Sequence, residues 1–316
     1  MIGIAGAGAF GTALAVTLAA DGREVRLWAR DAAAREAMRA SREAAKLPGI
    51  TLPERIAIHD DLSDLARCEA VLLAMPMQAM RGFLSDAPQL LRTDLVACSK
   101  GIDLTTLQGP AEVMTAAGAL AAKAVLTGPS FAVDIARGLP TALTLACDGP
   151  RAEALQHLLS TQSLRLYRSD DVTGVQLGGA LKNVIAIAAG VVIGAGFGDS
   201  ARAALITRGY AEMSRLAVAL GARAETLAGL SGLGDLILTC TSEQSRNFSH
   251  GLALGQGREA PKATVEGLAT ALAAVRLAQE KEIDMPVTAM VARLVAGETN
   301  LGEAVRELMS RPLKQE

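Results

Sequence analysis

The sequence predicts an α/β protein: a doubly wound, mostly parallel sheet over the first half, followed by an all-α part. Three observations predict it. Short apolar runs suited to strands alternate with helical runs as far as Tyr167. A glycine-rich turn joins the first strand to the first helix. Beyond Tyr167 the apolar and amphipathic runs have helical spacing, and no convincing strand appears. The boundary is expected near 168–175, dividing the chain into residues 1–170 and 171–316.

Met1–Ala5 reads as a strand, Gly6-Ala-Gly8-Ala-Phe-Gly11 as a turn and Thr12–Ala20 as a helix. In that context Gly6 makes the tight turn, Gly8 lets backbone approach a pyrophosphate, and Gly11 lets helix pack on sheet, a Rossmann-type fingerprint. The helix N-terminus supplies free N–H groups and the positive end of a dipole to the anion. Glu24–Ala29 is the second strand, with Val25, Leu27 and Ala29 on one face. At its end, where an acidic side chain would bind a ribose 2′-hydroxyl, stands Arg30, which suits a 2′-phosphate. NADP(H) is therefore preferred over NAD(H). Asp31 follows immediately, and the alternative for Arg30 is a solvated surface side chain.

An Ala-rich helix is expected near 31–45 and another after Met77. Strands are expected at Ile56–Ile58, Ala70–Ala74, Asp94–Cys98, Ala124–Leu126, Thr141–Leu145 and Leu164–Tyr167. Ligands of such sheets lie outside the carboxyl ends of the strands, so two loops there are candidates. Ser99-Lys100-Gly101-Ile102 points a lysine toward the crevice, or simply into solvent. Gly128-Pro-Ser130-Phe-Ala132 offers backbone amides and a hydroxyl.

Val172–Phe197 carries one charged side chain, Lys182, and six glycines. A run apolar all round is a buried helix or a membrane span, and a lysine near its middle favours burial. An unpaired buried ammonium tends to lose its proton, which is how a lysine becomes a base. The structural alternative is a lysine that snorkels or pairs with one carboxylate. Asp199–Leu220, capped by Asp199 or Ser200, Thr264–Glu282 and Pro286–Ala296 are further helices. Between them, Leu230-Ser-Gly-Leu-Gly-Asp235 is a glycine-rich turn that delivers a carboxylate, either as partner to a buried lysine or as an ordinary helix cap. Thr239–Asn247 collects hydroxyls, Arg246 and Asn247, a composition suited to a phosphate or, more plainly, to a cap beside a surface arginine.

Composition narrows the partners. With 50% hydrophobic and 20% charged residues and a net charge of -2, the chain has neither a nucleic-acid footprint nor a polybasic membrane anchor. Its four cysteines and three histidines are scattered, without zinc-site spacing, and suit core thiols in a reducing compartment. The uncharged first 20 residues imitate a secretory segment but lack a positive n-region. Small molecules are the expected ligands, and no metal is expected.

Seven motifs in order are similar to those of the bacterial NAD(P)-dependent glycerol-3-phosphate dehydrogenases: Gly6–Gly11, Ser99–Ile102, Gly128–Ala132, Leu181-Lys-Asn-Val184, Gly232-Leu-Gly-Asp235, Ser245-Arg-Asn247 and Val265-Glu-Gly267. The resemblance runs from residue 1 to about residue 300; Ala9-Phe10 departs from the usual Ser and Trp but keeps an aromatic. It implies a Rossmann-type domain, then a helical domain of the 6-phosphogluconate dehydrogenase-like kind, and frequently a homodimer. It implies a cytoplasmic enzyme that interconverts dihydroxyacetone phosphate and sn-glycerol 3-phosphate for phospholipid synthesis. Carried over by position, Lys182 is the general acid/base with Lys100 and Asp235 beside it. Gly128, Ser130, Ser245, Arg246 and Asn247 join these three in holding substrate. Ala9, Phe10, Arg30, Lys100, Ala132, Arg246, Thr264 and Glu266 touch the cofactor, with Gly6, Gly8 and Gly11 beneath it.

Two other readings remain open on the sequence. A related reductase of ketopantoate or a hydroxy acid would act on a carboxylate substrate without needing a phosphate. A non-catalytic NADP(H) sensor would need the glycine loop but not Lys182, Asp235 or the Ser-Arg-Asn cluster.

Overall fold

The computed structural model of the chain describes residues 1–260 and 263–309. Eight strands form one sheet in the order β3-β2-β1-β4-β5-β6-β7-β8. They are β1 (Ile2–Ala5), β2 (Val25–Trp28), β3 (Ile56–His59), β4 (Ala70–Leu73), β5 (Asp94–Ala97), β6 (Lys123–Thr127), β7 (Thr141–Cys147) and β8 (Leu164–Ser169). Neighbours pair in parallel except β6 and β7, so β7 and β8 run opposite to the rest. β1, β4 and β5 are buried on both faces, which is why they read as continuous apolar runs rather than alternating ones.

Helices α1 (Ala9–Ala20), α2 (Ala32–Ser41), α3 (Met77–Asp86), α4 (Pro110–Ala116), α5 (Ala132–Ala136) and α6 (Ala152–Leu159) flank the sheet. The helix expected over 31–45 stops at Ser41 because Arg42 turns left-handed at φ 55°, and its guanidinium donates to the carbonyls of Pro53 and Ile56. The first helix begins at Ala9, inside the glycine motif, not at Thr12.

From Val172 onward the described residues form helices only: α7 (Val172–Gly194), α8 (Gly198–Ala219), α9 (Ala224–Leu227), α10 (Asp235–Cys240), α11 (Arg246–Gly255), α12 (Glu266–Glu280), α13 (Pro286–Val295) and α14 (Leu301–Met309). α7 is the axis of this half and is buried along most of its length, so its lack of a polar face reflects a protein core. It packs most tightly on α11. A methyl on Gly190 would lie 2.1 Å from the Phe248 carbonyl oxygen, and one on Gly251 2.0 Å from that of Ile187. Gly194 and Gly255 repeat the arrangement one turn on, so glycines of each helix admit the backbone of the other.

The cap expected for α8 is absent: Phe197 occupies the N-cap position without a side-chain hydrogen bond, and Asp199 pairs with Arg202 at 2.9 Å. On α8 the buried Glu212 instead accepts from the backbone of Val287 and Thr288 at 2.8 and 3.1 Å, capping the start of α13 from outside. Burial pushes its carboxyl above the usual range.

Candidate active site

The loops at the carboxyl ends of β5 and β6 meet the helical half at a cluster of charges. Lys182, about three turns into α7, is 5% exposed. Its Nζ lies 3.2 Å from Oδ1 of Asp235 and donates to Thr239 Oγ1 at 2.9 Å. Asp235 opens α10 directly after a π-helical turn over Leu230–Gly234, a local irregularity that turns the carboxylate inward. Its other oxygen, Oδ2, accepts from Lys100 Nζ at 2.7 Å. One buried carboxylate therefore holds two lysines, one from each half of the chain.

Burial pushes the pKa of Lys182 below the ordinary lysine value; the Asp235 charge opposes that shift and the Lys100 charge adds to it. Thr239 passes the network onward by donating to Ser245 Oγ at 3.2 Å. Ser245 caps α11 by accepting from the Phe248 N–H, so Arg246 and Asn247 form the first turn of that helix. Arg246 is exposed, whereas the half-buried Asn247 turns back to donate to Asn183 Oδ1 at 2.9 Å. Cys240 lies beside the two charges, and burial pushes its thiol up to about 12, which leaves it inert.

The strand-end loops converge on the same place. Lys100 Nζ also donates to the Gly128 carbonyl at 3.0 Å and stands 6.0 Å from the Phe10 ring centroid. Gly128 takes φ +144°, and a side chain there would press on the backbone of Leu143 at 3.1 Å. This turn thus aims a carbonyl at the lysine, and Ser130 Oγ donates to the same oxygen at 3.3 Å. Ala132 begins α5 and joins Ala9 and Phe10 in one small apolar cluster beside α1. Glu266 reaches across from α12, its carboxylate accepting from the N–H groups of Met77 at 3.0 Å and Lys100 at 3.2 Å. Burial pushes that carboxyl above its usual range.

Two further candidates lie at the surface. Arg30 is exposed at the end of β2, and Thr264 is exposed just before α12. Thr239 and Asn183 stand within the motifs that the sequence offers, but the sequence assigns neither a role of its own. Thr239 follows Asp235 by four residues, so a helix starting at Asp235 places both on one face, and that spacing was the available signal.

The glycine loop fits a dinucleotide. Gly6 adopts φ +118°, and a methyl there would lie 2.4 Å from the Ala74 carbonyl oxygen; one on Gly11 would lie 2.0 Å from that of Gly6. A methyl on Gly8 would meet no protein atom within 4 Å, so packing does not require that glycine, and it would instead fill the cradle at the start of α1. No side chain caps α1 and none in its first turn is acidic, so its leading amides face that cradle without competition. Among the described residues no cluster of three or more His, Cys, Asp or Glu is arranged to hold a metal ion.

Comparison with known proteins accords with this arrangement. Residues 1–153 match the model of the NAD-dependent glycerol-3-phosphate dehydrogenase N-terminus, and residues 171–306 match that of its C-terminus. The chain belongs to this family. It is 58% identical over 318 residues to a glycerol-3-phosphate dehydrogenase [NAD(P)+] of Paracoccus denitrificans, covering 100% of this chain and 99% of that protein. A protein of the same name from Cereibacter sphaeroides is 60% identical over 321 residues, with full coverage of both. The crystal structure of glycerol-3-phosphate dehydrogenase from Coxiella burnetii superposes with a TM-score of 0.92 at 38% identity, covering 98% of each chain. The mostly parallel sheet followed by a helical half is thus the architecture of the family.

Proposed function

We propose that this chain is an NAD(P)-dependent sn-glycerol-3-phosphate dehydrogenase, reducing dihydroxyacetone phosphate and running in reverse. The observation that carries the reading is Lys182, a buried lysine held by Asp235 and Thr239 at the mouth of a dinucleotide-binding sheet. The nicotinamide cofactor supplies the hydride when bound. In reduction the Lys182 ammonium polarises the ketone and donates a proton to its oxygen; in oxidation the neutral amine removes the hydroxyl proton. Burial that lowers its pKa makes the neutral form accessible nearer physiological pH. Lys100 and Asp235 fix the charge around it. Arg246 and the capped start of α11, with Gly128, Ser130, Ser245 and Asn247, hold the phosphate, whose binding energy positions the reacting carbon.

We read residues 1–170 as the nucleotide domain and 171–316 as the substrate domain, in a cytoplasmic enzyme that feeds phospholipid synthesis as a homodimer. NADP(H) is the preferred cofactor. The Asp31 carboxylate is turned into the N-cap of α2, accepting from Ala33 at 2.9 Å and Ala34 at 3.4 Å, and this leaves the Arg30 guanidinium to meet a 2′-phosphate. Ala9, Phe10, Ala132, Thr264 and Glu266 complete the cofactor's surroundings.

The test is oxidation of NADPH, and separately of NADH, at saturating dihydroxyacetone phosphate. Turnover is expected with both, faster with NADPH, and Lys182→Ala should lower it by about 10²- to 10⁴-fold while NADPH still binds. Faster reduction of ketopantoate than of dihydroxyacetone phosphate would overturn the reading.

A further inference from the structure

The turn between β2 and α2 is gripped by one guanidinium. Arg35, at the end of the first turn of α2, donates from Nη1 to the carbonyl of Ala29 at 2.6 Å and to that of Arg30 at 3.2 Å. Its Nε donates to Asp60 Oδ1 at 2.7 Å, just beyond the end of β3, and its side chain is only 13% exposed. The two carbonyls belong to the peptide planes before and after the Arg30 Cα, so a single nitrogen holds both backbone dihedrals of Arg30 and with them the direction of its Cβ. Asp60 is anchored in turn: its second carboxylate oxygen accepts from Arg39, and its carbonyl accepts from Trp28 Nε1 at 3.2 Å. The Asp31 carboxylate is spent on the N-cap of α2, and the Arg30 side chain is exposed.

We propose that Arg35 is a positioning residue for cofactor specificity, acting through Arg30: it presets the β2–α2 turn so that the Arg30 guanidinium meets the 2′-phosphate that distinguishes NADP(H) from NAD(H). The inference rests on the NADP(H) reading of Arg30. Two features set Arg35 apart from an ordinary surface ion pair. A cation in the first turn of a helix stands at the positive end of the dipole, where acids are favoured, so the helix itself does not account for it. Its bonds also need a planar fork, with carbonyls on one arm and a carboxylate on Nε, a set that a lysine ammonium does not match. A turn ordered in advance spares the nucleotide the cost of ordering it on binding. The pyrophosphate is held elsewhere, by the glycine loop after β1, so a looser turn weakens the 2′-phosphate contact and leaves the rest of the dinucleotide in place.

The test is direct titration of NADPH and of NADH, followed by nucleotide fluorescence, in a double-mutant cycle between Arg35 and Arg30. Arg35→Ala should weaken NADPH binding by about tenfold, the scale of one hydrogen bond to a charged group, and change the Kd for NADH by no more than about twofold. Arg35→Lys keeps the charge but not the fork, and should lose nearly as much. In an Arg30→Ala background neither substitution should weaken NADPH further. Unchanged NADPH affinity in Arg35→Ala, or equal losses for the two nucleotides, would overturn the proposal and leave Arg35 a structural residue. Full NADPH affinity in Arg35→Lys would overturn it by crediting the charge and not the clamp. Losses that multiply in the Arg30→Ala background would overturn it in favour of a direct contact between Arg35 and the phosphate. Should Arg35→Ala fail to fold, Arg35→Lys carries the same cycle. A parent chain that binds NADPH no more tightly than NADH would instead strike the NADP(H) reading, and the proposal with it.

Discussion

Replacing Thr239 by valine removes one oxygen and almost no volume, and it isolates what that hydroxyl does for Lys182. The hydroxyl accepts from Nζ at 2.9 Å, while Asp235 Oδ1 remains 3.2 Å away. A hydrogen bond to a charged group contributes about 1.5–3 kcal/mol and a neutral one about 0.5–1.5 kcal/mol, so the hydroxyl favours the ammonium over the amine by about 1–1.5 kcal/mol. At 1.36 kcal/mol per unit that is about one pKa unit. The sign follows directly. Burial already depresses Lys182, and loss of an acceptor that prefers the charged form depresses it further. In the pH–rate profile for glycerol 3-phosphate oxidation, which needs the neutral amine, the rising limb should move about one unit lower. For dihydroxyacetone phosphate reduction, which needs the ammonium, the falling limb should move lower by the same amount. Because Lys182, Asp235 and Lys100 are linked, the limbs report the cluster as a whole. A limb that stays in place, or moves upward, would refute the assignment of Thr239 as an acceptor that sets the proton affinity of Lys182.

Two further outcomes concern the scaffold and the cofactor. Gly251→Ala puts a methyl 2.0 Å from the Ile187 carbonyl oxygen, backbone against backbone, so α7 and α11 must part; thermal unfolding should show a loss of about 1–3 kcal/mol or more, and an unchanged Tm would contradict the close approach. Arg30→Ala should weaken NADPH binding and leave NADH binding unchanged, as seen in paired titrations; equal effects on both would remove the basis for an NADP(H) preference.

The sheet was legible because its signals are local. β4 and β5 are unbroken apolar runs, and the glycines of Gly6–Gly11 specify one turn, so each strand falls within a residue or two of where the sequence predicts it. The oddity of Lys182 was visible as one charge in an apolar helix, and Asp235 as a carboxylate that could partner a buried lysine or merely cap a helix. What the sequence did not disclose are relations between distant segments. Glu266 meets Met77 and Lys100 across 189 and 166 positions, and no periodicity encodes that. Gly128 was expected to offer amides, but its positive φ turns the carbonyl onto Lys100. The cap expected at Asp199 or Ser200 failed because α8 begins at Gly198 and takes both into its first turn, while the true acceptor for another helix, Glu212, sits mid-helix on α8.

The reversal of β7 and β8 turns α7 into a measuring rod. Because β8 runs against β1 to β6, the chain leaves it at the far side of the sheet from the loops that carry Lys100 and Gly128. α7 must then climb the height of the sheet, which strands of four or five residues set at about 13–17 Å. Lys182 follows Val172 by ten residues, a rise of about 15 Å. The contacts record the ascent: Val175 shares a core cluster with Val125 in mid-β6, Gly179 abuts Thr127 at the end of β6, and Asn183 reaches the carbonyl of Lys100 just beyond. The register of the reacting amine is therefore counted out in whole residues. Adding one residue between 172 and 182 would swing Lys182 by about 100° around the helix and hand its place to a neighbour.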